Sequence, residues 1–138
     1  MSESEDDDFK NYVPYNIDSL KSLRFINLSG CYHITDKSLI KTFNLPDLRE
    51  INLGRCFNIT EIGLTEICQK CPYLEIVDFS EVFHIVDSTI GMIALKSSKM
   101  ETLKLNGCNQ ITVLALEYLR NCKYLKVTIT LLIFISIR

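Results

Sequence analysis

Residues 28–39 read LSGCYHITDKSL, and the same arrangement returns as LGRCFNITEIGL at 53–64, FSEVFHIVDSTI at 79–90 and LNGCNQITVLAL at 105–116. The intervals are 25, 26 and 26 residues. A period of this length means one supersecondary unit copied along the chain, in which no copy can bury its apolar faces alone and neighbours must stack. It also decides how the Cys and His of the first copy are to be read. His33 becomes Asn58, His84 and Gln110 in turn, a series that shares no metal or proton chemistry, while the apolar positions around it persist. The stretch is architecture.

Aligned on Leu23, Leu48, Leu74 and Met100, the copies carry apolar residues three and five positions later: Ile26 and Leu28, Ile51 and Leu53, Val77 and Phe79, Leu103 and Leu105. Period-two alternation marks a short strand with one face buried. Cys31, Cys56, Val82 and Cys108 follow at offset eight, then Ile34, Ile59, Ile85 and Ile111 at eleven. Thr35, Thr60 and Thr112, with Val86 as the exception, precede Asp36, Glu61 and Asp87, with Val113 as the exception. A hydroxyl and a carboxylate there accept from the free amides of a helix start and favour its positive end. In the second copy Leu64, Ile67, Cys68 and Cys71 keep helical spacing up to Pro72, which cannot continue a helix. Each unit is expected to run strand, turn, helix, return.

The combined pattern, LRFINLSGCYHITDKSL and LREINLGRCFNITEIGLTEICQKCPYLEIVDF, resembles the cysteine-containing class of leucine-rich repeats over residues 23–125. The resemblance implies an α/β fold, a right-handed leucine-rich-repeat solenoid shaped as a horseshoe arc, with parallel strands on the concave face and helices on the convex face. Such repeats form the substrate-recognising halves of F-box proteins, the adaptors of SCF-type ubiquitin ligases, and occur in related mitotic-exit regulators. The F-box precedes the repeats in those proteins, and the 22 residues ahead of Leu23 are too few to supply it. Respiratory-complex assembly factors of mitochondria carry similar repeats, which makes a structural scaffold the alternative function. A truncated repeat fragment without independent function is the other.

The domain reading follows the repeat starts at 23, 48, 74 and 100. Residues 1–22 are expected to form an acidic, disordered tail and lead-in, 23–125 the four repeats, and 126–138 an aberrant fifth repeat or apolar tail. Leu125 opens that fifth repeat correctly, but Thr128 and Thr130 then occupy the strand's core positions. The run VTITLLIFISI, eleven residues, is short of the roughly 20 that a membrane-spanning helix needs. It is expected to leave an apolar edge open to self-association at the C-terminal end.

Charge narrows the partners. Five of the 17 acids lie within the first eight residues, so 15 basic residues face 12 acids from residue 9 onward, without a basic cluster. Nucleic-acid binding needs such a cluster to displace phosphate counterions. The acidic start lacks the positive, apolar character of a secretory or mitochondrial leader, which makes the location cytoplasmic or nuclear and the six cysteines reduced thiols. Cys31 and Cys56 fall within disulfide reach on strands about 4.8 Å apart, but both are expected to point inward in parallel. The spacing Cys68-x-x-Cys71 would serve redox or metal chemistry only if the thiols were exposed and acidic; packing is the preferred reading, and Cys122 repeats the Cys71 position. Neither a cofactor, a metal nor catalysis is expected. What remains is the outward side of the strands, where offsets two and four set Phe25 and Asn27, Glu50 and Asn52, Ile76 and Asp78, Thr102 and Lys104 on one concave face. Phe25 and Ile76 with a polar surround form the candidate protein-binding patch.

Overall fold

The computed structural model describes residues 20–120 and 122–125. The acidic tail and the aberrant fifth repeat, with its expected self-associating edge, lie outside the described residues. Four strands alternate with four helices: β1 (Phe25–Asn27), α1 (Asp36–Thr42), β2 (Glu50–Asn52), α2 (Glu61–Lys70), β3 (Ile76–Asp78), α3 (Asp87–Lys96), β4 (Thr102–Lys104) and α4 (Leu114–Leu119). The strands form one parallel sheet in the order of the chain, and each helix packs against the next. Residues at the same offset are register partners throughout: Ile26, Ile51, Val77 and Leu103 stand in one row.

The core lies between the sheet and the row of helices. Ile51, Leu53, Val77, Phe79 and Leu103 are wholly buried, as are Leu64, Ile67, Ile90 and Ile93 from the facing helices. Fully burying one such side chain contributes on the order of 1.5–3 kcal/mol before chain entropy is subtracted.

In the first three strands the residue at offset four turns the chain out of the sheet. Asn27 Oδ1 accepts from the Ser29 amide at 3.0 Å, Asn52 Oδ1 from Gly54 at 2.9 Å and Asp78 Oδ1 from Ser80 at 3.0 Å. These side chains bend the backbone in the manner of Asx turns. Three residues further on the chain enters the left-handed region, at Gly30, Arg55, Glu81 and Gly107, with φ of 74°, 62°, 58° and 73°. Glycine adopts this freely; Arg55 and Glu81 do so at a cost of about 1–2 kcal/mol.

The offset-eight thiols tie one repeat to the one before. Cys56 Sγ donates to the Leu28 carbonyl at 3.1 Å and Cys108 Sγ to the Phe79 carbonyl at 3.2 Å, while Val82 fills the same buried slot by shape alone. Cys31 departs from the inward packing expected of it and is exposed, because β1 is the first strand of the sheet and no described strand lies on its far side.

Helix starts divide the work differently from the expectation. Thr35 accepts from the Ser38 amide and Thr60 from the Ile62 amide, so the hydroxyl caps its own helix. The carboxylate does not; it serves the following repeat. Asp36 Oδ1 accepts from the Thr60 and Gly63 amides at 2.8 and 3.0 Å, and Asp36 Oδ2 from the Thr60 hydroxyl at 2.5 Å. Asp87 does the same for Thr112. Where Val86 replaces Thr, the preceding acid is Glu61, one methylene longer, and its Oε2 accepts from the Thr89 hydroxyl at 3.4 Å. In the fourth repeat, which lacks the acid, Thr112 still accepts from the Leu114 amide, and α4 is the shortest helix described.

Candidate functional site

The eight residues singled out from the sequence fall in two straight rows on the sheet face turned away from the helices. Parallel register aligns Phe25, Glu50, Ile76 and Thr102 in one row and Asn27, Asn52, Asp78 and Lys104 in the other. The rows differ in character. Phe25 is 53% exposed, whereas Ile76, between Glu50 and Thr102, is half-buried, so the two intended apolar anchors are unequal. In the second row Asn27, Asn52 and Asp78 spend a carboxyl or amide oxygen on the Asx turns. Lys104 has no such oxygen, and the corresponding Asn106 amide donates instead to Ser80 Oγ at 3.3 Å. Lys104 and the amide nitrogens of Asn27 and Asn52 take no part in these turns.

Just before the strands, offset one places Arg24, Arg49, Glu75 and Glu101 in a further row. Arg49 Nη1 meets Glu75 Oε1 at 2.6 Å, and its guanidinium lies 5.6 Å from the Tyr73 ring centroid. Both charges are partly exposed, so solvent screening leaves the pair a small contribution to stability.

A feature that the alternation argument passed over lies at the other end of the strands. Tyr32, Phe57 and Phe83 occupy offset nine and stack as a ladder, with ring centroids 5.5 and 5.3 Å apart and planes inclined by 13° and 3°. Tyr32 and Phe83 remain substantially exposed, so the ladder forms an aromatic margin beside the two rows. Its recurrence at the repeat period was present in the sequence, and a tabulation of offset nine would have found it. The neighbouring polar series explains itself in the same geometry. Asn58 Nδ2 donates to the Tyr32 carbonyl at 2.6 Å and Gln110 Nε2 to the Phe83 carbonyl at 3.0 Å, linking consecutive turns. His33 and His84 are exposed at the alternate positions.

The C-x-x-C pair has the opposite of redox character. Cys68 and Cys71 are wholly buried, and burial pushes each thiol up to about 11. The Leu45 backbone opposes that rise at Cys71, and the nearby Ser97 hydroxyl opposes it at Cys68, without prevailing in either case. A thiol that stays protonated and unreachable is neither a nucleophile nor a ligand. Among the described residues, no group of three or more His, Cys, Asp or Glu is placed to hold a metal ion, and no helix is long and apolar enough to cross a membrane.

The arrangement as a whole offers an extended, mixed polar and aromatic surface suited to contact. No protein-family model and no curated protein matches the chain. Among solved structures it is similar to one described as the crystal structure of the Rad7 and Elc1 complex in yeast, with a TM-score of 0.68 at 23% identity, over 75% of this chain and 27% of that chain. The likeness is one of fold, α/β with a four-stranded parallel sheet, and the chain spans about a quarter of the matched chain's length.

Proposed function

We propose that this chain is a non-enzymatic protein-interaction module of the cysteine-containing leucine-rich-repeat class, a right-handed solenoid arc whose repeats start at 23, 48, 74 and 100. Its strand face is the concave one and binds a target protein; its helices form the convex back. The observation that carries the reading is the pair of in-register rows on the face opposite the helices, with the half-exposed Phe25 as the apolar anchor, Ile76 as a second, shallower one, and Asn27, Glu50, Asn52, Asp78, Thr102 and Lys104 as the polar surround. An apolar centre with a polar rim is the common anatomy of protein interfaces.

The target is one destined for SCF-type ubiquitin-dependent degradation. This finer assignment is supported by the repeat pattern and by the fold likeness to a chain from a two-protein complex, that of Rad7 and Elc1. Affinity capture with the full chain, a Phe25→Ala/Ile76→Ala variant and a Leu95→Ala control on the helix side tests it. The expected result is a set of partners, with ubiquitylated proteins and a ligase adaptor among them, that the control retains and whose target members the strand-face variant loses. Identical partners from all three forms would remove the face from consideration, and absence of ligase components would remove the degradation role.

A further inference from the structure

Charge on the strand face of the second and third repeats does not cancel. At the strand entrances Glu75 is met by Arg49 at 2.6 Å, and in the turns beyond the strands Glu81 is met by Arg55 at 3.7 Å. Between these two pairs stand Glu50 on β2 and Asp78 on β3, both half-buried, and among the described residues neither makes an ion pair. Lys104, the register partner of Asp78 on β4, is exposed and stays apart from it. The fold asks for neither charge. Asn27 and Asn52 make the turn that Asp78 makes, through an amide oxygen, and the places beside Glu50 in its row are held by Phe25 and Ile76. A half-buried carboxylate without a counterion raises the free energy of the unbound chain, and a cation brought by a partner offsets that cost.

We propose that the target segment bound by this face presents a basic side chain, an arginine in preference to a lysine, which enters between Phe25 and Ile76 and sets its charge on Glu50 and Asp78. The inference rests on the reading of the strand face as a target-binding surface and gives that target its chemistry. Asp78 lies two residues beyond Ile76, the register partner of Glu50, so the two acids are diagonal neighbours with Cα atoms roughly 8 Å apart. A planar guanidinium donates from both of its sides and bridges two such carboxylates in a way that the compact ammonium of lysine does not. Asp78 Oδ1 is held by the Ser80 amide, which leaves Oδ2 for the incoming group. The methylene stem of an arginine packs on apolar surface, and Phe25 and Ile76 supply it on either side of Glu50. The chain's own Arg49 and Arg55 border the place but are engaged with Glu75 and Glu81.

A library of random peptides displayed on phage is the probe. It is selected on the full chain after depletion on the Phe25→Ala/Ile76→Ala variant. The winning peptides are synthesised and titrated against the full chain, a Glu50→Gln/Asp78→Asn variant and a Glu66→Gln/Glu117→Gln control on the helices. Asparagine at 78 keeps the turn, as Asn27 and Asn52 do, so the first variant removes charge and not structure. The winning peptides are expected to be enriched in arginine, to bind Glu50→Gln/Asp78→Asn about tenfold more weakly and the control unchanged, and to weaken as salt rises. Replacing the peptide's arginine by glutamine costs the full chain the same factor and costs the charge-neutral variant nothing. Winning peptides without a basic residue, or arginine peptides that bind all three forms equally, overturn the proposal and leave the face as a target site. Equal losses in the variant and the control also overturn it, because the attraction is then to net charge. A selection that yields no peptide dependent on Phe25 and Ile76 removes the face itself, and the cation with it.

Discussion

Asp36 serves a helix that is not its own: its Oδ1 accepts the Thr60 amide at 2.8 Å, across 24 residues of sequence, at the start of α2. The same oxygen takes the Gly63 amide, and a Cβ at residue 63 would collide with it. Carboxylate, hydroxyl and glycine therefore form one joint between the first and second repeats.

Asp36→Ala is expected to lower unfolding free energy by about 1.5–3 kcal/mol, the range for hydrogen bonds to a charged group. Gly63→Ala overpacks the same joint and is expected to cost about 1–3 kcal/mol. In the double variant the losses fall short of their sum, because removing the carboxylate relieves the collision. Urea unfolding of the four forms measures this; full additivity would mean that the two residues act separately.

Ser97 is the buried group without a hydrogen-bond partner among the described residues. It lies close enough to bias the Cys68 thiol but is not placed to bond it. The equivalent position of the preceding repeat is Cys71, which is wholly buried. Ser97→Cys or Ser97→Ala is expected to raise stability by about 1 kcal/mol, since a desolvated, unpaired hydroxyl is removed. A loss of stability in both variants would show that the hydroxyl is bonded in solution.

Glu81 sits at φ 58° where Gly107 sits at 73° one repeat later. Glu81→Gly is expected to stabilise the protein by about 0.5–1 kcal/mol, because glycine removes the left-handed strain at some cost in chain entropy. The Arg55–Glu81 contact it deletes is 3.7 Å long and exposed, so little is lost with it. A lower denaturation midpoint for Glu81→Gly would mean that the turn gains more from the side chain than the backbone loses.

Cys68, Cys71 and Cys108 are each raised by burial from 9.0 to about 11. Their native pKa lies above the unfolded one, so the unfolded chain releases protons first. The stabilisation is fully present below pH 9 and is lost as pH climbs toward 11. Each thiol contributes at most about 1.4 kcal/mol per pH unit to that slope. Unfolding at pH 8.5, 9.5 and 10.5 should show a steeper fall for the native chain than for a Cys68→Ala/Cys71→Ala/Cys108→Ala variant. Parallel slopes would place the thiols in contact with water.

The repeat frame was legible because it is local chemistry in a fixed order: Ile51, Leu53, Cys56 and Ile59 announce a strand, a turn and a buried seam without reference to any distant residue. Relations between repeats were less legible. The reach of Asp36 to Thr60 looks in one dimension like ordinary capping of α1, and only register brings the two together. Arg55 and Glu81 hid a turn conformation that Gly30 and Gly107 display openly. The Tyr32, Phe57 and Phe83 ladder was available as a period but means nothing until the strands are laid side by side. Alternation groups the eight strand-face residues in the two rows that register then pairs, while the unequal exposure of Phe25 and Ile76 depends on the neighbours that flank each in the sheet.

The Asp36 joint and its counterpart between Glu61 and Thr89 also bear on how such a chain lengthens over generations. Aspartate precedes a threonine cap and glutamate precedes the valine-containing one, so the matched halves sit in different copies. Tandem duplication of residues 48–73 would set Glu61 against a second Thr60, a pairing present nowhere in the described chain. Growth by recombination is therefore constrained at its seams more than within its copies, and the inherited module of this protein runs from one acid to the next cap, not from strand to strand.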